Sequence, residues 1–131
     1  GVLLRAGIYA TVKDNFFYGQ FDSVGSAAAT AAGAIVSDTS GAAMSGVNIS
    51  GNTIVSSDTA AALLINIDAA LTHRGVVVGN KLATYDTATA DTAQVAFGTL
   101  LPLDNTMITG DSDVQQSIVG KRLMRGVLDS G

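Results

Sequence analysis

Apolar and polar positions in this chain alternate with a period of two around a recurring break. Val47-Asn48-Ile49-Ser50 runs into Gly51-Asn52 and resumes at Thr53-Ile54. Val76-Val77-Val78-Gly79-Asn80-Lys81-Leu82 repeats the phrase. Degenerate copies are Ala10-Thr11-Val12-Lys13-Asp14-Asn15-Phe16-Phe17 and Ser117-Ile118-Val119-Gly120-Lys121-Arg122-Leu123. Alternation marks a strand with one buried face, and Gly-Asn marks a tight turn. Strand, turn and strand, recurring about once per coil, predict an all-β chain built as a parallel β-helix.

The pitch is uneven. Asn15 and Asn52 are 37 residues apart and Asn52 and Asn80 are 28 apart, while Asn105 in Leu103-Asp104-Asn105-Thr106-Met107-Ile108 lies 25 past Asn80. Coils that vary in this way differ by loop insertion, and residues 22–33, 86–91 and 104–113 are the expected excursions. About four irregular coils fit the length, as one domain over residues 1–131 or as a piece of a longer β-helix. Pro102, the single proline, is expected in a connection.

The turn residues have a physical task. A tight corner needs a residue that tolerates positive φ, which Gly and Asn supply. In stacked coils the corner recurs about every 4.8 Å, close enough for Asn side chains to bond in a ladder. Asn15, Gly51, Asn52, Gly79 and Asn80 are therefore the expected turn and ladder residues. From alternation, Val47, Ile49, Ile54, Val76, Val78 and Leu82 are expected to point inward. Asn48, Ser50, Thr53, Val77 and Lys81 are expected to point outward or sit at turns.

The phrases Ile49-Ser50-Gly51-Asn52-Thr53-Ile54 and Val77-Val78-Gly79-Asn80-Lys81-Leu82 resemble the right-handed parallel β-helix superfamily, the pectate-lyase-like group that includes bacteriophage tail spikes. The resemblance covers roughly residues 46–97. It implies a right-handed coil and specifies fold only, since no catalytic residue of that superfamily maps onto this chain.

Composition narrows the classes. All eleven acidic residues are Asp and Glu is absent, which disfavours helices because Glu is a good helix former. Charged residues make up 14% and the mean hydropathy is +0.38, so much of the surface is expected to meet protein. No charge-free apolar run of about 18 residues exists, so no membrane partner is expected. The net charge is −4 with scattered bases, so no nucleic acid is expected either. Cysteine is absent, which removes disulfides and thiol chemistry. The chain begins at Gly1, not Met, and reads as processed or as part of something longer.

Candidate chemistry is sparse. Asp111 and Asp113 have the spacing for two calcium ligands, but the rest of a calcium loop is missing and a solvated turn is the default reading. Asp104, Asp111 and Asp113 are the nearest approach to a carboxylate pair for glycoside hydrolysis. His73-Arg74 reads best as a coil-corner pair touching a neighbouring chain. Phe16, Phe17, Tyr18 and Phe21 read as coil stacking or an end cap, or alternatively as a glycan platform. Lys121, Arg122 and Arg125 form a basic cluster suited to acidic loops of a partner copy. No catalytic set, metal site or cofactor is expected.

These features lead to an expected role: a virion structural protein, a tail-spike or tail-fibre segment that takes part in host-surface attachment. It is expected in the virion or outside the cell, as a homo-oligomer, most simply a trimer, with other virion proteins and a host surface glycan as partners. The alternatives are a polysaccharide lyase or glycosidase and a bacterial surface adhesin.

Overall fold

The computed structural model describes residues 1–5, 7–21, 33–37, 42–57, 63–85 and 95–108, and the backbone of 109 and 115–119. Thirteen strands lie within those residues. Twelve of them form four coils of three. Coil 1 holds β1 (Val2–Leu4), β2 (Thr11–Lys13) and β3 (Phe16–Gly19). Coil 2 holds β4 (Ile35–Ser37), β5 (Val47–Ser50) and β6 (Thr53–Ser56). Coil 3 holds β7 (Ile65–Asn66), β8 (Gly75–Val78) and β9 (Lys81–Thr84). Coil 4 holds β10 (Val95–Ala96), β11 (Leu101–Leu103) and β12 (Asn105–Thr109).

Equivalent strands stack in parallel. Sheet 1 has the order β1-β4-β7-β10, and sheet 2 has β11-β8-β5-β2. Sheet 3 runs β12-β9-β6-β3, with β13 (Gln115–Val119) beyond β12. The molecule is a right-handed parallel β-helix of about four coils, as the recurring phrase predicts.

Register turns alternation into continuous core rows. In sheet 2, Val12 pairs with Ile49, Ile49 with Val77, and Val77 with Pro102. In sheet 3, Phe17, Ile54, Leu82 and Met107 align across four coils. Ile49, Ile54, Val77, Leu82 and Met107 are completely buried. Leu4, Ile35, Leu64, Ile65 and Val95 close the core from the sheet 1 side. Val, Ile and Leu supply most of this interior, with Met44 and Met107 inside it and Phe17, Phe21 and Phe97 packed against it.

Four expectations need correction. The stretch expected as an excursion from 104 to 113 begins instead with a corner at Asp104 and with β12, which stacks on β9. Val77 is the inward residue, whereas Val76 and Val78 are only partly buried. The reason is register: Val77 lies opposite Ile49, and Asn48 and Ser50 lie opposite Val76 and Val78. Three consecutive valines hide the phase that counting back from the Gly-Asn corner reveals.

The Ser117–Val119 stretch is not a further parallel copy. It belongs to β13, which runs antiparallel to β12, with Asn105 opposite Val119 and Thr109 opposite Gln115. β13 therefore does not continue the parallel stack of sheet 3.

Pro102 lies inside β11, not in a connection. β11 is the outermost strand of sheet 2, where a residue without an N–H leaves no ladder bond unmade.

Candidate functional site

The corner between sheets 2 and 3 is built four times from the same two-residue device. Its first residue has positive φ: Asp14 at 56°, Gly51 at 63°, Gly79 at 64° and Asp104 at 49°. Asp and Gly are among the residues that accept this left-handed conformation at low cost. The second residue is always asparagine: Asn15, Asn52, Asn80 and Asn105. The left-handed residue swings the chain through the corner and directs the following side chain along the stack.

These side chains form one directional ladder. Asn15 donates its backbone N–H and its Nδ2 to Asn52 Oδ1, at 3.0 and 3.1 Å. Asn52 does the same to Asn80 Oδ1, at 3.0 and 2.9 Å. Asn80 repeats it to Asn105 Oδ1, at 3.1 and 2.8 Å. The Nδ2 groups of Asn52 and Asn80 each make a second bond to the coil on the other side, and Asn105 Nδ2 makes the same backward bond. Asn52 reaches Val12 O at 2.9 Å, Asn80 reaches Ile49 O at 3.0 Å, and Asn105 reaches Val77 O at 2.9 Å.

Asn52, Asn80 and Asn105 are completely buried. The amide groups inside the stack thus satisfy one another, which offsets the cost of desolvating them. Every bond from one asparagine to the next points the same way, so those dipoles reinforce. The ladder locks the register of sheets 2 and 3 and stiffens the corner. It has no nucleophile and no titratable group, so its work is structural.

The expected ladder residues Asn15, Asn52 and Asn80 thus stack with Asn105 as a fourth rung, and Gly51 and Gly79 hold two of the corners. Asp14 and Asp104 hold the other two, as the alignment of Asp14-Asn15 and Asp104-Asn105 with Gly-Asn in the degenerate copies leads one to expect. Asp104 sits in the coil 4 corner, which explains its presence without a carboxylate pair. Asp111, Asp113, Lys121, Arg122 and Arg125 lie outside the described residues.

A second interior polar group lies at the corner between sheets 1 and 2. His73 is 1% exposed, which overturns its reading as a surface contact, while Arg74 beside it is exposed. The backbone N–H of Met44 donates to His73 Nδ1 at 3.1 Å. Nδ1 therefore acts as the acceptor at this corner. Thr99 Oγ1 donates to the His73 carbonyl at 2.7 Å, so this residue ties coil 2 to coil 4. His73 Nε2 has no hydrogen-bond partner among the described residues. Burial of a polar residue at this corner leaves no periodic trace in the sequence.

The outer face is where the chain meets its surroundings. On β3, Phe16 and Tyr18 point outward and are 69% and 64% exposed. They stand about 7 Å apart along the strand. Thr53 and Lys81 continue the Phe16 row, and Val55 and Ala83 continue the Tyr18 row. Leu3, Ile8 and Tyr9 are also exposed, so most of the exposed large apolar side chains among the described residues belong to coil 1. Among the described residues, no three His, Asp or Glu side chains gather in a group able to hold a metal.

No protein-family model matches the chain, and no curated protein or solved structure matches it either.

Proposed function

We propose that this chain is a rigid β-helical segment of a virion attachment structure, a tail-spike or tail-fibre part that acts by binding and building. The observation that carries this reading is the outer face of sheet 3. Two aromatic rings, Phe16 and Tyr18, stand exposed in one line on a strand held in place by the ladder below it. Rings on a stiff support offer the apolar face of a sugar a stacking surface with little ordering cost. The Thr53 and Lys81 side chains in the adjoining row supply hydrogen-bond donors for sugar hydroxyls. A host surface glycan is the proposed ligand.

The relation to the pectate-lyase-like β-helix superfamily is part of the same proposal, supported by the coil architecture and the Gly-Asn corners. Low charge and the apolar side chains exposed on coil 1 favour a closed homo-oligomer, proposed as a side-by-side trimer, in the virion or outside the cell.

Two measurements test this. A glycan array and tyrosine fluorescence titration should show binding that Phe16→Ala and Tyr18→Ala each weaken roughly 5-fold or more, the loss of one stacking contact of about 1 kcal/mol. Incubation with the bound polysaccharide should release no oligosaccharide. Release that stops on Asp104→Asn, Asp111→Asn or Asp113→Asn would replace this reading with that of a lyase or glycosidase.

A further inference from the structure

The ladder has two unlike ends. Each inner asparagine takes two donors on Oδ1 from the preceding coil and sends its Nδ2 to a carbonyl of that same coil. The carbonyl always belongs to the residue three before the preceding coil's asparagine: Val12 before Asn15, Ile49 before Asn52, Val77 before Asn80. Asn15 breaks the pattern on one side only. It donates onward to Asn52 like the others. Its Nδ2 turns instead to Lys13 O of its own coil, at 3.0 Å. Among the described residues, nothing donates to its Oδ1, and the side chain is exposed.

The strands agree with the ladder. β1, β2 and β3 are the outermost strands of their three sheets, each paired on one side only among the described residues. At the opposite end of sheet 3, β13 covers β12 in the reversed direction. One end of sheet 3 is therefore covered, while the coil 1 end presents three parallel edges and a ladder acceptor with no donor among the described residues.

We propose that the coil 1 end is a docking surface for one further parallel β-coil whose corner carries an asparagine. Such a coil would supply a backbone N–H and an amide N–H₂ to Asn15 Oδ1. It would also offer the carbonyl three residues before its own asparagine, and Asn15 Nδ2 would exchange Lys13 O for it. The geometry favours this occupant over a second copy of the chain. The far end of another copy presents β13, which separates the Asn105 corner from whatever lies beyond. A copy joined coil 1 to coil 1 would set two Oδ1 acceptors against each other. This inference is independent of glycan binding.

The test supplies such a coil. Residues 33–63 are duplicated directly ahead of Gly1, so that Gly1 takes the place that Leu64 holds after the natural copy. This register follows from the alignment of Val2, Ile35 and Ile65. The extended protein should melt at least about 4 °C higher than the chain itself. Changing the added copy of Asn52 to Asp keeps the shape but turns an amide donor into an oxygen, and it should remove the rise.

No rise in melting temperature, or a rise that the Asp variant retains, overturns the proposal. So does light scattering that shows the unextended chain as a dimer that Asn15→Ala abolishes, because that assigns the end to a second copy. Glycan binding measured on the extended protein reports separately on Phe16 and Tyr18, so the two proposals fail by different readouts.

Discussion

Asn80 Oδ1 accepts both the backbone N–H and the side-chain amide of Asn52, 28 residues earlier in the chain. One oxygen therefore fixes both the corner of coil 2 and the position of its side chain. At the same time Asn80 donates to Ile49 O and Asn105 Oδ1. Losing this one side chain unsatisfies groups in two neighbouring coils, which makes the ladder cooperative across the stack.

Asn80→Leu should therefore be severe. It leaves the buried Asn52 N–H and Nδ2, and the Ile49 carbonyl, short of partners, at about 1–3 kcal/mol for each buried unsatisfied group. Urea unfolding should show a loss of at least about 3 kcal/mol, or no folded protein. Asn15→Ala, at the exposed end, should cost only about 1 kcal/mol. Equal losses at the two positions would mean that burial of the ladder does not set its energetics.

Gly75 and Gly79 should respond oppositely to a side chain. Gly75 has φ of 150°, and a Cβ there would run into the backbone of Val47. Gly75→Ala should prevent β8 from pairing with β5 and abolish cooperative melting. A Cβ on Gly79 meets nothing within 4 Å. Gly79→Asn should fold, at a cost of under about 1 kcal/mol, because Asn tolerates the left-handed conformation. Circular dichroism melts of the two variants check this directly.

The inward row of sheet 2 makes a phase-sensitive prediction. Val77→Asp and Ile49→Asp should both prevent folding, since each places an unpaired carboxylate in a dry core. Val76→Asp and Val78→Asp, one residue away on either side, should remain folded with a loss of roughly 1 kcal/mol. A soluble, cooperatively melting Ile49→Asp variant would show that the coil interior lies elsewhere.

His73→Phe retains the ring volume but removes the acceptor for Met44 N–H. The expected loss is about 1–3 kcal/mol, the cost of one orphaned buried donor. Hydrogen exchange at the Met44 amide should accelerate more than at Ile49, whose own bonds are unaffected. Uniform acceleration would mean that the substitution acts through packing alone.

The strand-turn-strand unit, its recurrence and its corner chemistry are all legible in the sequence. A two-residue period and a Gly-Asn pair are local properties, and local backbone preference is what they encode. The inward positions on both sides of Gly51-Asn52 follow from that period, as does the likeness of Asn52 and Asn80. Asp14 and Asp104 were readable too, by the rule that admits Asp to the left-handed region.

Register, burial and strand direction belong to the tertiary structure. Val76-Val77-Val78 fits either face until Ile49 pairs with Val77, since three equal side chains have no phase of their own. The direction of β13 is set by its pairing along β12, and an alternating segment reads the same forwards and backwards. His73 is buried because the corner of coil 3 brings it beneath Met44, a contact between residues 29 apart that no local pattern announces. The polarity of the ladder, with an acceptor at Asn15 that has no donor among the described residues, exists only once four corners are stacked, because a hydrogen bond's direction is a relation between coils and not a property of any one of them.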